Sequence, residues 1–284
     1  MKSAVVTGAS TGIGWGCVEV LTAKGFHVFG SVRKEADAER LKAQFGDRFT
    51  PLLFDIIDAT AVGRGADKVG AELGGETLAG LVNNAGIAVA GPLLYLDTEE
   101  LRHQLEVNVT GQLIVTQAFA PLLGADRSRT GAPGRIVMIS SVGGRNANPF
   151  MGPYSASKFA LEGLSESLRR ELMIFGIDVI VVAPGAVATP IWDKADQLDT
   201  SRYANTPYAA ALDRVKMYML ELGRKGFQPE KIGETVCRAL TSKKPKVRYT
   251  VTPDPLQNLL TTTLPKRIVD KLIAARLGLQ KTSH

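Results

Sequence analysis

The sequence has few of the residues that build disulfides or metal centres. Its 284 residues include only two cysteines, Cys17 and Cys237, and three histidines, His27, His103 and His284. These residues form no ligand-spaced cluster, so neither a metal site nor a disulfide framework is expected. A reducing compartment, the cytoplasm, is the default for such a chain. A domain of this length buries enough surface to be stable without either device.

Long apolar runs are also missing. No stretch approaches the roughly eighteen consecutive apolar residues that a membrane-spanning helix needs. The first eight residues, MKSAVVTG, reach Gly8 without the apolar region and cleavage site of a signal peptide. We therefore expect a soluble protein.

The chain is basic, with a net charge of +6, but nothing indicates a nucleic-acid site. Much of the excess lies near the carboxyl terminus, at Lys243, Lys244, Lys246, Arg248, Lys266, Arg267, Lys271, Arg276 and Lys281. These cations are not interleaved with aromatic residues and match no nucleic-acid motif. A solvated basic surface is the simplest interpretation.

Short apolar runs alternate with segments of helical periodicity. The strand-like runs are residues 3–7, 27–32, 50–55, 80–83, 134–140, 178–183 and 247–251. The helical segments are residues 12–24, 35–44, 59–72, 98–123 and 154–175. Nearly continuous apolar strands are typical of a parallel sheet covered on both faces. The alternation predicts an α/β protein with a doubly wound parallel sheet.

A glycine-rich turn, Thr7-Gly-Ala-Ser-Thr-Gly-Ile-Gly14, joins the first strand to the first helix. Glycine lets the backbone turn tightly and approach a phosphate, and a helix N-terminus offers free N–H groups to an anion. The turn is therefore a candidate pyrophosphate site. Taken alone, it also fits a tight turn without a ligand.

Four segments, in order along the chain, resemble the short-chain dehydrogenase/reductase family. They are the glycine turn, the Asn83-Asn-Ala-Gly86 segment, the Tyr154-Ser-Ala-Ser-Lys158 motif with Ser141 thirteen residues upstream, and Pro184-Gly185 followed by Val187 and Thr189. The sequence segments around Ser141 and Tyr154 are similar to those of the 17β-hydroxysteroid and retinol dehydrogenase branch. The resemblance implies a single Rossmann-type domain over residues 1–284.

The resemblance implies an oxidoreductase that moves a hydride between a nicotinamide dinucleotide and a ketone or secondary alcohol. Tyr154 is expected to be the acid/base, and Lys158, one helical turn away, to lower the tyrosine pKa from ~10 by ~3 units with help from an oxidised nicotinamide. Ser141, rather than the adjacent Ser140, is expected to bind the substrate oxygen. In the family a helical asparagine, matched here by Asn108, holds a water of the proton relay.

Arg33 and Lys34 favour NADP(H) over NAD(H). They follow the second strand, where no carboxylate appears until Glu35, and arginine can pair with a 2′-phosphate. NAD(H) remains possible. The residues expected to bind the cofactor are Gly8, Ser10, Thr11, Gly12, Ile13, Gly14, Arg33, Lys34, Asp55, Ile56, Asn84, Ala85, Gly86, Tyr154, Lys158, Pro184, Gly185, Val187 and Thr189.

Two segments outside these motifs are expected to shape the substrate side. Residues 191–226, rich in aromatic residues and methionine, are predicted to form a helical substrate lid over a lipophilic ketone or alcohol of steroid, retinoid or aryl-ketone type. Residues 253–284 are predicted to form a basic helical extension, interrupted at Pro265. Its amphipathic part, residues 256–279, is expected to pack on the core, cover the opening, join a subunit contact or touch a membrane peripherally.

Two further possibilities concern assembly and function. Family members associate as homodimers or homotetramers through two helices, one of which carries the Tyr154 motif.

A non-catalytic, dinucleotide-sensing protein on the same fold is the alternative function. The full set of Asn108, Ser141, Tyr154 and Lys158 argues against that alternative, because binding alone does not require a tuned phenol. A Ser/His/Asp hydrolase is disfavoured, since Ser141 lies outside a Gly-x-Ser-x-Gly motif.

Overall fold

The protein is built on one parallel sheet of seven strands. The computed structural model describes residues 1–189 and 201–280. The strands are β1 (Ser3–Val6), β2 (His27–Val32), β3 (Phe49–Leu53), β4 (Gly80–Asn83), β5 (Arg135–Ile139), β6 (Asp178–Pro184) and β7 (Arg248–Val251). Their order is β3-β2-β1-β4-β5-β6-β7, and every neighbouring pair is parallel. The predicted doubly wound α/β sheet is confirmed.

Helices cover both faces of this sheet. They are α1 (Gly12–Ala23), α2 (Glu35–Phe45), α3 (Ala59–Glu72), α4 (Thr98–Leu105), α5 (Gly111–Phe119), α6 (Gly152–Glu171), α7 (Ala209–Arg224), α8 (Pro229–Thr241), α9 (Pro255–Thr263) and α10 (Lys266–Leu277). Apolar residues of α1, α2 and α8 form the core on one face, and those of α3, α5 and α6 form the core on the other.

Strand β1 shows why the strands read as continuous apolar runs. Ala4 and Val6 belong to the core on one face, Val5 belongs to the core on the other, and all three are fully buried. Successive strand residues point to opposite faces, so both sets must be apolar when helices cover both faces.

The long helix predicted over residues 98–123 is interrupted. Helix α4 ends at Leu105, a π-helical turn spans Glu106–Thr110, and α5 follows from Gly111. Such turns insert one extra residue into a helix and often occur at functional sites. The predicted helix was therefore right in position but wrong in its continuity.

Helix α8 was not predicted from the sequence. It packs against α1 so closely that a Cβ on Gly16 would lie 2.5 Å from the Pro229 carbonyl carbon, and one on Gly233 would lie 2.4 Å from the Gly16 oxygen. Its apolar residues Ile232, Val236 and Leu240 join the core on that face of the sheet.

The carboxyl-terminal part forms a smaller apolar cluster. Residues of α7, of the turn before it, of α10 and of the segment before α6 contribute Phe150, Tyr203, Ala211, Leu212, Val215 and Leu277. Residues 191–200 of the predicted lid lie outside the described residues, and the division into lid and extension stays a prediction. Across residues 1–189 and 201–280, none of the helices combines the length and apolarity that crossing a bilayer takes.

Candidate active site

The predicted site residues gather at the carboxyl edge of the sheet, where strand order reverses between β1 and β4. Strands β1 and β4 are neighbours, and the chain leaves them toward opposite sides of the sheet. In open α/β sheets this position is where ligands bind.

The glycine turn after β1 needs its glycines. Gly8 and Gly12 have φ values of +66° and +57°, in the left-handed region that favours glycine. A Cβ on Gly14 would lie 2.1 Å from the Gly8 carbonyl oxygen, so no side chain fits there. Thr11 precedes α1 without capping it by its side chain. The first N–H groups of α1 are therefore available to an anion.

Thr7 ties the glycine turn to the segment after β4. Its hydroxyl accepts hydrogen bonds from the backbone N–H groups of Asn84 and Ala85, at 2.9 and 3.0 Å. The Asn84 side-chain amide in turn donates to the Thr7 carbonyl at 2.8 Å. A Cβ on Gly8 would lie 3.0 Å from the Ala85 Cα. The two predicted cofactor segments are thus in direct contact.

Buried amides hold the loop that follows Ala85. Asn108, in the π-helical turn, accepts from the Ile87 N–H at 2.9 Å and donates to the Ile87 carbonyl at 3.0 Å. Gln104 accepts from the Val89 N–H at 2.7 Å, and Gln112 donates to the Ala85 carbonyl. Sequence analysis missed both glutamines, whose role depends on a loop distant in sequence.

Asn108 reaches the Tyr154 motif through one intermediate residue. Its amide donates to the Ser157 hydroxyl at 3.0 Å, and that hydroxyl donates to the Tyr154 carbonyl at 2.7 Å. Both amide hydrogens of Asn108 are therefore engaged. A water contact in the expected relay would have to use the second lone pair of Oδ1 or the main chain.

Ser141 and Tyr154 face the same glycine. The Ser141 hydroxyl accepts from the Gly143 N–H at 3.0 Å. A Cβ on Gly143 would lie 3.3 Å from Ser141 Oγ and 3.5 Å from Tyr154 Cε1. The competing Ser140 faces a different glycine. Its buried hydroxyl lies 2.8 Å from the position of a Cβ on Gly144 and has no hydrogen-bond partner. The geometry favours Ser141.

Lys158 lies beneath the Tyr154 ring. Its Nζ is 5.7 Å from the ring centroid and donates to the Ile139 carbonyl at 2.8 Å. Burial lowers the pKa of Lys158 to about 8, an effect that the carboxylate of Glu162 opposes. The ammonium remains the main form at neutral pH.

The pKa of Tyr154 differs from the sequence-based expectation. Burial raises it above the ordinary tyrosine value, and a hydrogen bond with Ser141 offsets only part of that rise. The expected lowering, which assumed a bound oxidised nicotinamide in addition to Lys158, is not found for the residues of the chain alone, where desolvation of the buried phenol dominates. The phenol is neutral at physiological pH.

A partly buried ion pair next to Lys158 was also missed. Arg248, from β7, donates to both carboxylate oxygens of Glu162 at 3.0 to 3.2 Å. Glu162 lies one helical turn after Lys158, and Arg248 also approaches the Ser141 carbonyl at 3.5 Å. The two partners are 86 residues apart in sequence, which explains why no local pattern revealed them.

The basic residues after β2 lie near the glycine turn with unequal exposure. Arg33 is 69% exposed and forms an ion pair with Asp55 at 3.5 Å. Lys34 is exposed at the start of α2. Arg40, not predicted, donates to the Ser10 carbonyl at 2.7 Å. Ile56 is buried against Gly111, so only its backbone could meet a ligand.

The segment after β6 closes the other side of the edge. The Gly185 N–H donates to the Val251 carbonyl at 2.8 Å, which joins the segment to β7 beyond Pro184. Val187 is buried and bridges to Phe227. Thr189 lies over the glycine turn, 3.2 Å from the position of a Cβ on Gly12.

This edge fits a nicotinamide dinucleotide. A Cβ on Gly14 would clash with the Gly8 carbonyl oxygen, so the turn keeps a bare backbone there, and the uncapped start of α1 can hold a pyrophosphate. The segments that begin at Asn84 and Pro184 would flank the nucleoside parts. When bound, such a cofactor supplies a hydride donor or acceptor. Together with the doubly wound sheet, this arrangement defines a dinucleotide-dependent oxidoreductase.

Comparison with known proteins gives the family. The sequence profile described as "short chain dehydrogenase" matches residues 2–199. The chain belongs to the short-chain dehydrogenase/reductase family, and it is an enzyme that acts on CH–OH groups or carbonyls with NAD(P).

Relatives cover almost the whole chain. An NADPH-dependent 3-dehydrocapnine reductase of Ornithobacterium rhinotracheale is 39% identical over 273 residues, which are 96% of each protein. Retinol dehydrogenase 5 of Mus musculus is 35% identical and covers 94% of this chain and 86% of its own. The crystal structure of a short-chain dehydrogenase from Streptomyces avermitilis superposes with a TM-score of 0.75 at 28% identity, over 96% of this chain and 94% of that one.

Proposed function

We propose that this enzyme uses NADPH to reduce the ketone of a lipophilic small molecule, with Ser141, Tyr154 and Lys158 as its catalytic residues and Asn108 as their support. The observation that carries the proposal is the convergence of Ser141 and Tyr154 on Gly143, with the Lys158 ammonium beneath the phenol. Sensing a dinucleotide would not require this cluster.

Each residue has one task in carbonyl reduction. The Ser141 hydroxyl donates a hydrogen bond to the carbonyl oxygen and fixes its position. The neutral phenol of Tyr154 donates the proton that the developing alkoxide takes up. The Lys158 ammonium stabilises the phenolate that remains. With its pKa above the ordinary tyrosine value, Tyr154 is protonated at neutral pH, which is the form that carbonyl reduction requires.

Cofactor preference rests on the cations beside the glycine turn. Arg33 projects from the end of β2 and is largely exposed, and Arg40 is held at the Ser10 carbonyl. Arg33 contacts Asp55 through Nη1 alone, at 3.5 Å. The other N–H groups of its guanidinium can therefore bind a second anion. The name of the Ornithobacterium relative includes NADPH dependence, which supports the same preference.

Arg33→Ala tests this preference directly. Loss of charge-assisted hydrogen bonds to a 2′-phosphate should weaken NADPH binding by roughly 10- to 100-fold and leave NADH binding nearly unchanged. Dissociation constants from fluorescence titration give both values, and Arg64→Ala, on the exposed side of α3, is the matched control. Equal weakening of both cofactors would remove Arg33 from 2′-phosphate recognition.

An apolar groove beside the site supports a lipophilic substrate. Its lining consists of Pro92, Leu93, Leu94, Pro149, Phe150, Tyr208 and Leu279. Leu93 contacts Gly152, two residues before Tyr154, so the groove adjoins the start of α6. Among residues 1–189 and 201–280, Phe150 is the one non-glycine residue with a left-handed φ, +64°, and its carbonyl accepts from the Gly91 N–H at 2.8 Å. Such conformations persist where packing enforces them, often at functional sites.

A substrate panel tests the reaction. The protein is mixed with NADPH and with ketones matched in pairs, one long-chain or polycyclic and one short and hydrophilic. Loss of the reduced-nicotinamide absorbance with the apolar member of each pair is expected. Tight NADPH binding without oxidation by any ketone would instead support the dinucleotide-sensing alternative.

Assembly and domain organisation are proposed on family grounds. Residues 1–284 are taken as one domain, and homodimers or homotetramers are expected to form through α6 and a neighbouring helix. The exposed Phe159 on α6 fits such a contact. Sedimentation velocity measures the mass, and a monomer at micromolar concentration would contradict this assembly.

A further inference from the structure

The helices α9 and α10 form a carboxyl-terminal hairpin whose apolar residues are mostly not buried. Helix α9 has no buried residue, and α10 buries only Val269 and Leu277. We call the exposed apolar residues of this hairpin the outer face: Leu256, Leu259, Leu260, Ile268 and Leu272. A globular helix normally turns its apolar side to the core, so a concentration of exposed leucines indicates a binding surface.

Polar groups at the end of α9 do not depend on water. The hydroxyls of Thr261, Thr262 and Thr263 donate to the carbonyls of Gln257, Asn258 and Leu259, at 3.0, 2.8 and 2.8 Å. Hydroxyls satisfied within their own helix lower the cost of moving that helix out of water. The outer face is thus suited to a medium of low polarity.

Cations accompany the outer face. Lys266, Arg267 and Lys271 are exposed on α10 and form no ion pair within the part of the chain that the structure describes, whereas Asp270 is the helix's one acidic residue. A two-fold contact with a second copy would bring these like charges together. An anionic surface would neutralise them, so charge favours an anionic partner over self-association.

The hairpin also lies beside the substrate groove. Helix α9 starts just after β7 ends, at the carboxyl edge of the sheet. Leu279, which follows α10, lines the groove together with Leu93 and Leu94, and both of these leucines are exposed. The end of α10 therefore leads into the groove, and α9 starts at the carboxyl edge of the sheet.

We propose that the carboxyl-terminal hairpin docks on anionic lipid bilayers, with its leucines at the level of the headgroups and its lysines and arginine against lipid phosphates. Exposed apolar residues flanked by cations are the composition of helices that lie in a membrane interface. Docking on this side places the groove at the lipid surface, where an apolar ketone is most concentrated. The binding itself does not depend on the proposed reaction.

Vesicle sedimentation tests the proposal without any turnover. The full-length protein is mixed with vesicles of phosphatidylcholine alone or with about a third of phosphatidylglycerol, and the pelleted fraction is measured. Binding to the anionic vesicles is expected, with little to the neutral ones. The Lys266→Gln/Lys271→Gln variant should bind about 30-fold more weakly, because each cation near such a surface contributes about fivefold. Leu256→Ser/Leu259→Ser should lose at least about tenfold.

Matched variants separate docking from general surface effects. Met173→Ser/Ile174→Ser removes two residues that are 65% and 71% exposed in the turn after α6, comparable with 64% and 55% for Leu256 and Leu259. Lys24→Gln/Arg64→Gln removes two exposed cations elsewhere. Both controls should bind like wild type. No binding to anionic vesicles, equal loss in the controls, or dissociation of an oligomer by the leucine variant would overturn the proposal.

Discussion

At the scale of single residues, burial favours the neutral forms of both Tyr154 and Lys158. It raises the pKa of the phenol and lowers that of the ammonium to about 8. The pair therefore holds a proton-donating phenol beside a cation that exists only below a mildly alkaline pH. For the proposed reduction, activity should fall as the pH rises through the pKa of Lys158.

Glu162 sets where that fall occurs. Its carboxylate favours the charged form of Lys158 and so keeps the lysine pKa from falling further. Glu162→Gln removes this support and leaves the Arg248 guanidinium unpaired nearby, and both effects lower the lysine pKa. The alkaline limb of the pH profile of kcat should therefore move to lower pH, as steady-state rates across a pH series would show.

A second glutamate on the same helix provides the control. Glu166, one turn further along α6, pairs with Arg170 and is exposed. Glu166→Gln should leave the profile in place. If Glu162→Gln also left it in place, Glu162 would have no part in controlling the charge of Lys158.

The sequence alone was sufficient to predict proximity between residues whose spacing along one helix places them side by side. Tyr154 and Lys158 are four apart on a helix and must share a face. Arg248 and Glu162 could not be paired in this way, because their contact depends on β7 lying beside β6 and on the side of the sheet that α6 covers. The direction of the Tyr154 pKa was likewise out of reach, since desolvation depends on the packed surroundings.

At the scale of elements, the π-helical turn at Glu106–Thr110 connects sequence to site most directly. It places Asn108 against the loop after β4 and against Ser157 at once. The sequence predicted helix throughout this region because helical propensity and periodicity are the same on both sides of the turn. The tertiary hydrogen bonds of Asn108 and Gln112 distinguish the π-helical turn from an ordinary helical turn, and these bonds depend on the fold.

The contact of α1 with α8 permits a sharp stability prediction. A Cβ on Gly16 would lie 2.5 Å from backbone atoms of Pro229, which cannot rotate away. Gly16→Ala should therefore lower the free energy of unfolding by about 1–3 kcal/mol, measured by urea denaturation. The overpacking must outweigh the better helix propensity of alanine.

Gly63, inside α3, is the matched control. A Cβ there would meet nothing within 4 Å, so Gly63→Ala should stabilise the protein by about 0.5–1 kcal/mol. A neutral or stabilising Gly16→Ala would show that the two helices can move apart at little cost, and the tight packing would then have no energetic role.

Helix α8 shows a different limit of sequence analysis. Its residues Ile232, Val236 and Leu240 recur at helical spacing, and Pro229 stands at its first position. That pattern was present in the sequence, but the chain after the Pro184 segment has no motif that would place a helix there. The strands were found because their apolar runs are buried on both faces, and their ends match the prediction or differ from it by at most two residues.

At the scale of the whole molecule, the parallel sheet assembles the site from distant segments. The glycine turn, the Asn84 segment, Ser141 and the Pro184 segment each follow a different strand, and parallel strands end at one edge. Helix α6 then presents Tyr154 and Lys158 to that edge from one face. The carboxyl-terminal hairpin adds the apolar side of the same edge.

Turnover by Tyr154→Phe is the most direct test of this account. The variant lacks only the phenolic hydroxyl, so NADPH should bind as in wild type while ketone reduction slows by about 10²–10⁴-fold. Tyr249→Phe, which alters a hydroxyl that accepts from the Lys246 N–H on β7's side of the sheet, should keep full activity. Reduction by Tyr154→Phe at close to the wild-type rate would contradict the central claim that this phenol delivers the proton.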